Sequence, residues 1–377
     1  MHILIAPNAF KNSLTAPECA EAIREGLKCS KITATYDCFP IADGGDGTAA
    51  LIVDKCKGIW HEHNVQDPLG RIISAPFGLI DDGRTAVLEM ADASGIRLLK
   101  EEELNPLKTS SYGTGELILR ALDLGVEKII IGLGGSATVD GGVGILRALG
   151  VRFLDTRGKE LSGLTESLLE LNRIDLSNMD RRILNCKIAV LCDVDNFLLG
   201  ENGSAAVFGP QKGALDKDIP RLDSVLEKLS EKAFEATGKN MSAVPHGGAA
   251  GGVAAALYAF LNAEIMNGAE EFLEITGFSA SLSKADILIT GEGSLDEQTL
   301  QGKGPHAVAK IAKSLNIPVI GIAGKVPVSN NPEMDKYFDI LMAIGNQPSS
   351  LEMAMKSTSV NLIRTSKIIG NFLAFKV

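Results

Sequence analysis

Short apolar runs that lead into glycine-rich loops are the feature that most constrains the fold of this chain. One run, Lys128-Ile129-Ile130-Ile131-Gly132, is short and β-branched enough to be a buried strand. It leads into 133–150, LGGSATVDGGVGILRALG, where five glycines, two hydroxyl residues and one acid precede a helix carrying Ile145, Leu146 and Leu149. Similar strand-loop-helix units begin near Ile3 and Ile287. Strands that alternate with helices in this way predict an α/β fold.

The chain is long enough for two domains, since its 377 residues exceed the usual size of a single core. Both ends follow the strand-loop-helix pattern, whereas the middle contains two strands that flank Asp81-Asp82-Gly83 as a predicted hairpin. We therefore predict a doubly wound, flavodoxin- or Rossmann-like domain from 1–75 plus 261–377, with a mixed α/β domain, 76–260, inserted into it. The active site is expected in the cleft between the two domains.

The composition excludes some partners. A formal net charge of −10 and scattered basic residues offer no surface for a polyanion, so we expect no nucleic acid partner. No apolar run approaches the roughly 18 residues that a membrane span needs, and we expect a cytoplasmic protein. The six cysteines include no CxxC pair, which predicts free and mostly buried thiols.

Carboxylates follow several of the predicted strands. One acidic loop alone is most often an ordinary turn, but a set of such loops, each after a β-type run, favours a functional site. Carboxylates from separate strand ends, without a histidine cluster, suit a hard ion such as Mg²⁺, with Asp195 and Asp296 as its predicted ligands. The acids of the set are Asp43, Asp46, Asp140, Asp193, Asp195, Glu292 and Asp296.

Basic and hydroxyl residues in the same loops predict a phosphate site, although solvated lysines and helix caps give the same pattern. No GxxxxGK[ST] motif occurs and no GxGxxG follows a strand, so a nucleotide would be held in another way. Together with the acids, these loops indicate phosphoryl transfer to a small acceptor. The predicted substrate or nucleotide contacts are Lys11, Ser13, Asp43, Arg71, Gly134, Gly135, Ser136, Thr138, Lys212, Gly291, Glu292 and Lys303.

The chain resembles the class I glycerate kinases through ordered blocks that run nearly end to end. They include APNAFKNSLTA (6–16), ADGGDGT (42–48), DPLGR (67–71), EMADASG (89–95), GGSATVDGGVG (134–144), CDVDN (192–196), VFGPQKGA (207–214) and ITGEGSLDEQT (289–299). The resemblance implies two α/β domains, one inserted into the other. It also implies ATP-dependent, Mg²⁺-assisted phosphorylation of D-glycerate, usually to 2-phosphoglycerate.

With this resemblance in place, we expect Asp193, or Asp140 as second choice, to orient and deprotonate the substrate hydroxyl. Lys11 and Lys303 are expected to neutralise charge on the transferred phosphoryl group, and Arg71 to meet the substrate carboxylate. Two alternatives stay open: a kinase for another small hydroxy acid, and an inactive binding protein on the same scaffold. They arise because five positions differ from the usual family pattern: Asn8, Ala9, Asn12, Val139 and Ser294.

Overall fold

The computed structural model of this chain describes residues 1–329 and 331–376. Its strands, in chain order, are β1 (His2–Pro7), β2 (Thr35–Cys38), β3 (Ile59–Gln66), β4 (Ile72–Ile80), β5 (Thr85–Glu89), β6 (Lys128–Gly132), β7 (Arg152–Leu154), β8 (Arg173–Asp175), β9 (Lys187–Cys192), β10 (Glu264–Asn267), β11 (Ile287–Ser294), β12 (Val319–Lys325) and β13 (Ile340–Ala343).

The helices fall between these strands and after the last one. They are α1 (Ala16–Lys28), α2 (Thr48–Lys55), α3 (Met90–Ser94), α4 (Tyr112–Asp123), α5 (Val143–Ala148), α6 (Ser204–Phe208), α7 (Ile219–Thr237), α8 (Ala249–Leu261), α9 (Gly268–Ile275), α10 (Phe278–Leu282), α11 (Gly304–Ser314), α12 (Pro332–Asp335), α13 (Leu351–Lys356) and α14 (Thr358–Leu373). No helix among the described residues is both long and apolar enough to cross a membrane.

One compact unit is built from both ends of the chain, Met1–Asp43 and the residues from Ala269 onward. Its five strands are all parallel, in the order β13-β12-β11-β1-β2. Counted within the unit this is the order 2-1-3-4-5, which is the doubly wound arrangement of flavodoxin-like folds. The direction of winding reverses between β1 and β11, so the carboxyl ends of these two strands form the topological switch point.

The elements of this end-built unit follow from local sequence. Ile3, Leu4 and Ile5 are fully buried, as expected for a strand that is covered on both faces. Helix α1 begins with a capping box, in which Thr15 accepts from the backbone of Glu18 and the Glu18 carboxylate accepts from Thr15. These signals are local, and for that reason the sequence predicts them correctly.

The inserted unit, Gly44–Gly268, has a mixed sheet in the order β10-β9-β6-β5-β4-β3. Strands β5, β6, β9 and β10 run parallel, whereas β3, β4 and β5 pair antiparallel. Asp81 and Asp82 turn the β4–β5 hairpin with positive φ values of 53° and 55°. The predicted hairpin is confirmed, as is the fold class of a doubly wound domain carrying an inserted mixed one.

The boundaries of the units differ from the expected ones. The first lies after Asp43 rather than after 75, because β3 and β4 pair with β5 and so belong to the inserted sheet. Helix α2 also belongs there, since Val53 packs against Gly78 so closely that a Cβ on that glycine would lie 2.1 Å from a Val53 methyl carbon. The second boundary lies after Gly268, because β10 pairs with β9.

Candidate active site

The switch point of the end-built unit brings together two of the predicted loops. The backbone N–H of Asn8, just after β1, donates to the carbonyl of Gly291 on β11 at 2.8 Å. Gly291 itself is packed against β12, where a Cβ would lie 1.9 Å from the carbonyl oxygen of Ile322. Ligands of open α/β sheets bind outside the carboxyl ends of the strands at this point.

Glu292 is the carboxylate at the centre of these loops. It is 8% exposed, and its Oε1 accepts from the hydroxyl of buried Thr299 at 2.8 Å. Burial raises the pKa of Glu292 to about 7; Asp43 also acts to raise it, whereas the Thr299 hydrogen bond, Lys303 and Lys11 oppose the rise. A carboxylate with a pKa near neutrality is well matched to taking a proton in this pH range.

Two ammonium groups act on Glu292 from neighbouring loops. Lys11 is exposed and Lys303 is half-buried at the N-terminus of α11. Neither forms a salt bridge with any residue that the structure describes. Their charge is therefore available to an anionic ligand, as the sequence predicts for a phosphate site.

The other predicted residues of the end-built unit are held by hydrogen bonds. The Asp43 carboxylate accepts from the side-chain amide of Asn8 at 2.7 Å, and Ser13 donates its hydroxyl to the carbonyl of Met355 at 2.7 Å. Asp296 accepts from the hydroxyl of Ser294 and from the backbone of Gln298. Ser13 thus fixes the loop after β1 against α13.

Lys212 of the inserted unit is hydrogen-bonded inside the protein, and its predicted role in phosphate binding stays a prediction. It is 2% exposed, and its Nζ donates to the hydroxyl of Ser136 and to the carbonyl of Thr138, each at 2.8 Å. Burial lowers the pKa of Lys212 to about 7, against the opposing effect of Asp140. Ser136 and Thr138 are buried with it, so this cluster supports the loop from within.

Asp140 has a structural role in the inserted unit, and its place as the second choice of base stays a prediction. Its carboxylate accepts from both the backbone and the hydroxyl of Ser111 and from the backbones of Gly142 and Gly144, at 2.7 to 3.2 Å. The residue is 3% exposed. These bonds satisfy buried backbone amides and one buried hydroxyl.

We expect Asp140→Ala to destabilise the protein by roughly 3 kcal/mol, because buried N–H groups and one hydroxyl lose their charged acceptor. Urea unfolding followed by circular dichroism measures the loss. Asp155→Ala is the matched control, since that exposed carboxylate also accepts backbone N–H groups but in a surface turn. If the Asp140→Ala variant kept its stability but lost turnover, the result would support Asp140 as the catalytic base and contradict a structural role.

Close packing explains Gly134 and Gly135, the glycines that begin the loop after β6. A Cβ on Gly134 would lie 2.6 Å from the Cα of Gly45. Gly135 has a φ of 68° and lies against the Asp46 side chain. The absence of a side chain at both glycines therefore lets two loops of the inserted unit pack closely together.

Arg71 is paired with two carboxylates, and its predicted role toward a substrate carboxylate stays a prediction. Its Nε donates to Asp67 and its Nη1 donates to Glu103 at 2.7 Å. Asp67 is 2% exposed and also accepts from the Arg71 backbone. A substrate carboxylate would share this guanidinium with Asp67 and Glu103.

Asp193 and Asp195 lie directly after β9, as predicted. Asp195 is exposed, and its Oδ1 lies 3.1 Å from Nδ1 of His246. The same nitrogen lies 2.9 Å from the carbonyl of Val194. Asp193 is half-buried. Among the residues that the structure describes, no three His, Cys, Asp or Glu side chains form a group that could hold a metal ion.

Sequence reasoning missed Glu89, at the end of β5. This 4% exposed carboxylate accepts from the backbones of Gly47 and Ala49 and so caps α2, which has no side-chain cap of its own. Burial raises its pKa to about 7. The signal was available, because Glu89 is also an acid directly after a buried β-type run.

The five positions that differ from the usual family pattern have separate explanations. Val139 is fully buried in the hydrophobic core of the inserted unit, so it affects packing rather than a ligand. Asn8 and Ser294 hydrogen-bond Asp43 and Asp296, and Asn12 adopts a positive φ of 60°. The substitutions near the switch point thus preserve a hydrogen-bonded site; nothing in the structure explains Ala9.

The fold and the switch-point loops define a doubly wound α/β protein with a carboxylate and cations at the ligand-binding edge of its sheet. The model of the glycerate kinase family matches residues 3–374. The chain is 45% identical to the glycerate kinase of Bacillus subtilis (strain 168), over 98% of this chain and 97% of that protein. It is 43% identical to the glycerate 2-kinase of Escherichia coli (strain K12), over 99% and 98%.

A solved structure agrees with these sequence comparisons. The crystal structure of a protein from Salmonella typhimurium LT2 assigned as glycerate kinase 2 superposes with a TM-score of 0.84 at 42% identity, covering 100% of this chain and 99% of that one. This chain belongs to the glycerate kinase family, and the family resemblance of its sequence is confirmed.

Proposed function

We propose that this chain transfers the γ-phosphoryl group of ATP to D-glycerate, with 2-phosphoglycerate as the product. Family membership and the names of the relatives from Bacillus subtilis and Escherichia coli support the reaction. The observation that carries it is Glu292, a buried carboxylate of raised pKa acted on by two lysines without salt bridges at the switch point.

In this reaction the substrate hydroxyl oxygen forms a bond to the γ-phosphorus while the bond from that phosphorus to the bridging oxygen of ADP breaks. Glu292 accepts the hydroxyl proton, and its pKa near 7 allows it to do so at neutral pH. Lys11 and Lys303 lower the energy of the negative charge that spreads over the transferred group. Asp193 is the alternative base, proposed from the sequence.

Mg²⁺, when bound, would neutralise charge on the phosphate oxygens. It is usually held by one or two carboxylates together with substrate phosphates, so a cluster of three protein ligands is not required. Asp296, whose carboxylate lies in the loop after β11, is the ligand that we propose from the end-built unit. Asp195 of the inserted unit is a separate candidate, proposed from the sequence. Their oxygen donors are the type that this ion prefers.

An ATP-consumption screen over D-glycerate, L-glycerate, D-lactate and glycolate tests the substrate. We expect D-glycerate to give a kcat/KM at least tenfold above the others, and ³¹P NMR of the product to show phosphate on the 2-hydroxyl oxygen. A preference for a different acid supports the alternative kinase. No turnover with any acid supports the inactive binding protein.

A further inference from the structure

A cavity of about 360 Å³ opens in the end-built unit beside the loop that carries Lys11. It lies at the carboxyl ends of strands of the parallel sheet, where open α/β sheets bind their ligands. Its volume is within the range of small-molecule sites. The residues that matter for its chemistry are Lys11, Gly293, Lys325, Ile344, Met353 and Asn361.

Asn361 on α14 is the unusual residue of this cavity. It is 93% buried, yet its side-chain amide makes no hydrogen bond to any residue that the structure describes. Its neighbour Thr358, by contrast, donates to the carbonyls of Ala354 and Met355. The amide atoms are not enclosed in the protein interior, because Asn361 lines the cavity. An amide that lines a cavity and has no partner in the described chain is available to a ligand that supplies both an acceptor and a donor.

The rest of the cavity matches a flat, mostly apolar ring attached to an anionic chain. Ile344 and Met353 supply aliphatic and thioether surface. Lys325 is exposed at the end of β12 and, like Lys11, forms no salt bridge with a described residue. Gly324 packs so closely on β11 that a Cβ would lie 2.8 Å from the carbonyl of Gly293, which keeps this wall free of side chains.

We propose that this cavity binds the adenosine part of ATP, with the Asn361 amide paired to the adenine edge and the phosphates directed to Lys11. An asparagine amide matches adenine because it accepts from the exocyclic amino group and donates to a ring nitrogen. The proposal rests on the proposed function, since it takes ATP as the nucleotide. The proposal adds the place where the adenine ring binds and names Asn361 as the residue that selects adenine.

Asn361→Leu tests the proposal through a split between the two substrates. We expect KM for ATP to rise about tenfold or more, because the adenine edge loses its partner, while KM for D-glycerate stays within about twofold. The melting temperature should change little, since the Asn361 amide has no hydrogen bond within the described chain to lose. A residue with a merely structural role would instead lower stability and leave KM for ATP unchanged.

Asn361→Asp provides a second readout. A carboxylate cannot donate to adenine but can accept from the N1–H and amino groups of guanine. We therefore expect the ratio of kcat/KM for GTP to that for ATP to rise about tenfold or more.

A bulky side chain on the cavity lining gives a third test. Ala354→Trp, at an exposed position on that lining, should weaken ATP binding, whereas Lys356→Trp on the same helix but outside the lining should not.

Equilibrium dialysis with radiolabelled ATP separates failure of the proposal from failure of the proposed function. Suppose that the wild-type protein turns over no acid but binds ATP, and that Asn361→Leu weakens this binding at least tenfold. The cavity is then supported as the adenosine site, although the proposed kinase reaction has failed. Wild-type affinity retained in Asn361→Leu overturns the cavity assignment, whether or not the enzyme is active. Absence of ATP binding by the wild-type protein also overturns it.

Discussion

Glu292→Gln is expected to lower kcat by about 10³-fold while the protein stays folded, because general-base catalysis typically contributes 10²- to 10⁴-fold. The glutamine keeps an oxygen for the Thr299 hydroxyl but cannot take a proton at neutral pH. Glu297→Gln is the matched control, since it makes the same chemical change at an exposed position of the same loop. Initial rates with saturating ATP and D-glycerate measure the effect.

The pH dependence gives the same variant a second readout. Glu292 must be ionised to act as a base, so the wild-type kcat/KM should fall as the pH drops below about 7. Stability should change in the opposite sense. A carboxyl group whose pKa is higher in the folded protein stabilises the fold fully below its unfolded pKa of 4.5 and loses that contribution as the pH rises through about 7.

Glu292→Gln should therefore raise the free energy of unfolding at pH 8 by up to roughly 3 kcal/mol and have little effect at pH 4. Thermal melts at the two pH values measure this difference. A variant that keeps a tenth of wild-type kcat and an unchanged pH profile would show that the base lies elsewhere. Asp193→Asn, assayed in parallel, would then be expected to show the loss instead.

Lys11→Met is expected to lower kcat/KM by about 10²- to 10³-fold, the size of effect found when one electrostatic contact to the transition state is removed. Its ammonium has no salt bridge within the described chain, so its charge is not already compensated. Removing it also takes away an effect that lowers the pKa of Glu292, and the acidic limb of the pH profile should move upward.

Lys31→Met is the control for Lys11→Met, because it removes an exposed positive charge from the same unit away from the switch point. Assays at two salt concentrations separate a local contact from a general loss of attraction for ATP, since distant charges are screened. If Lys11→Met changed only KM for ATP and left kcat intact, Lys11 would be a ground-state contact rather than a catalytic residue.

The sequence predicted the fold well because the relevant signals are local. Buried strands such as β6 and capped helices such as α1 are specified by neighbouring residues, and the alternation of strand and helix sets the fold class. The first unit boundary was less accurate. Strand β3 is mostly polar and lies at the edge of the inserted sheet, so its sequence does not show which sheet it joins.

The candidate site was harder to predict, because the state of a charged side chain depends on partners far along the chain. Lys212 and its acceptor Ser136 are 76 residues apart in sequence, and Arg71 and its partner Glu103 are 32 residues apart. A loop lysine and a buried lysine look alike in sequence. The sequence did not single out Asn361, since one asparagine on an amphipathic helix is ordinary. Only the structure shows that it lines a cavity with an amide that has no partner in the described chain.

The pairing of β1 with β11 joins Ile3 to Ile287 and has a consequence for synthesis. At about 5–20 residues per second, the first strand waits roughly 15–60 s on the ribosome before its partner is made. The inserted unit, Gly44–Gly268, is complete earlier and can fold first. Any translation product that stops before β11 therefore carries an apolar strand without its central neighbour, and such a fragment is a natural target for chaperones and proteases.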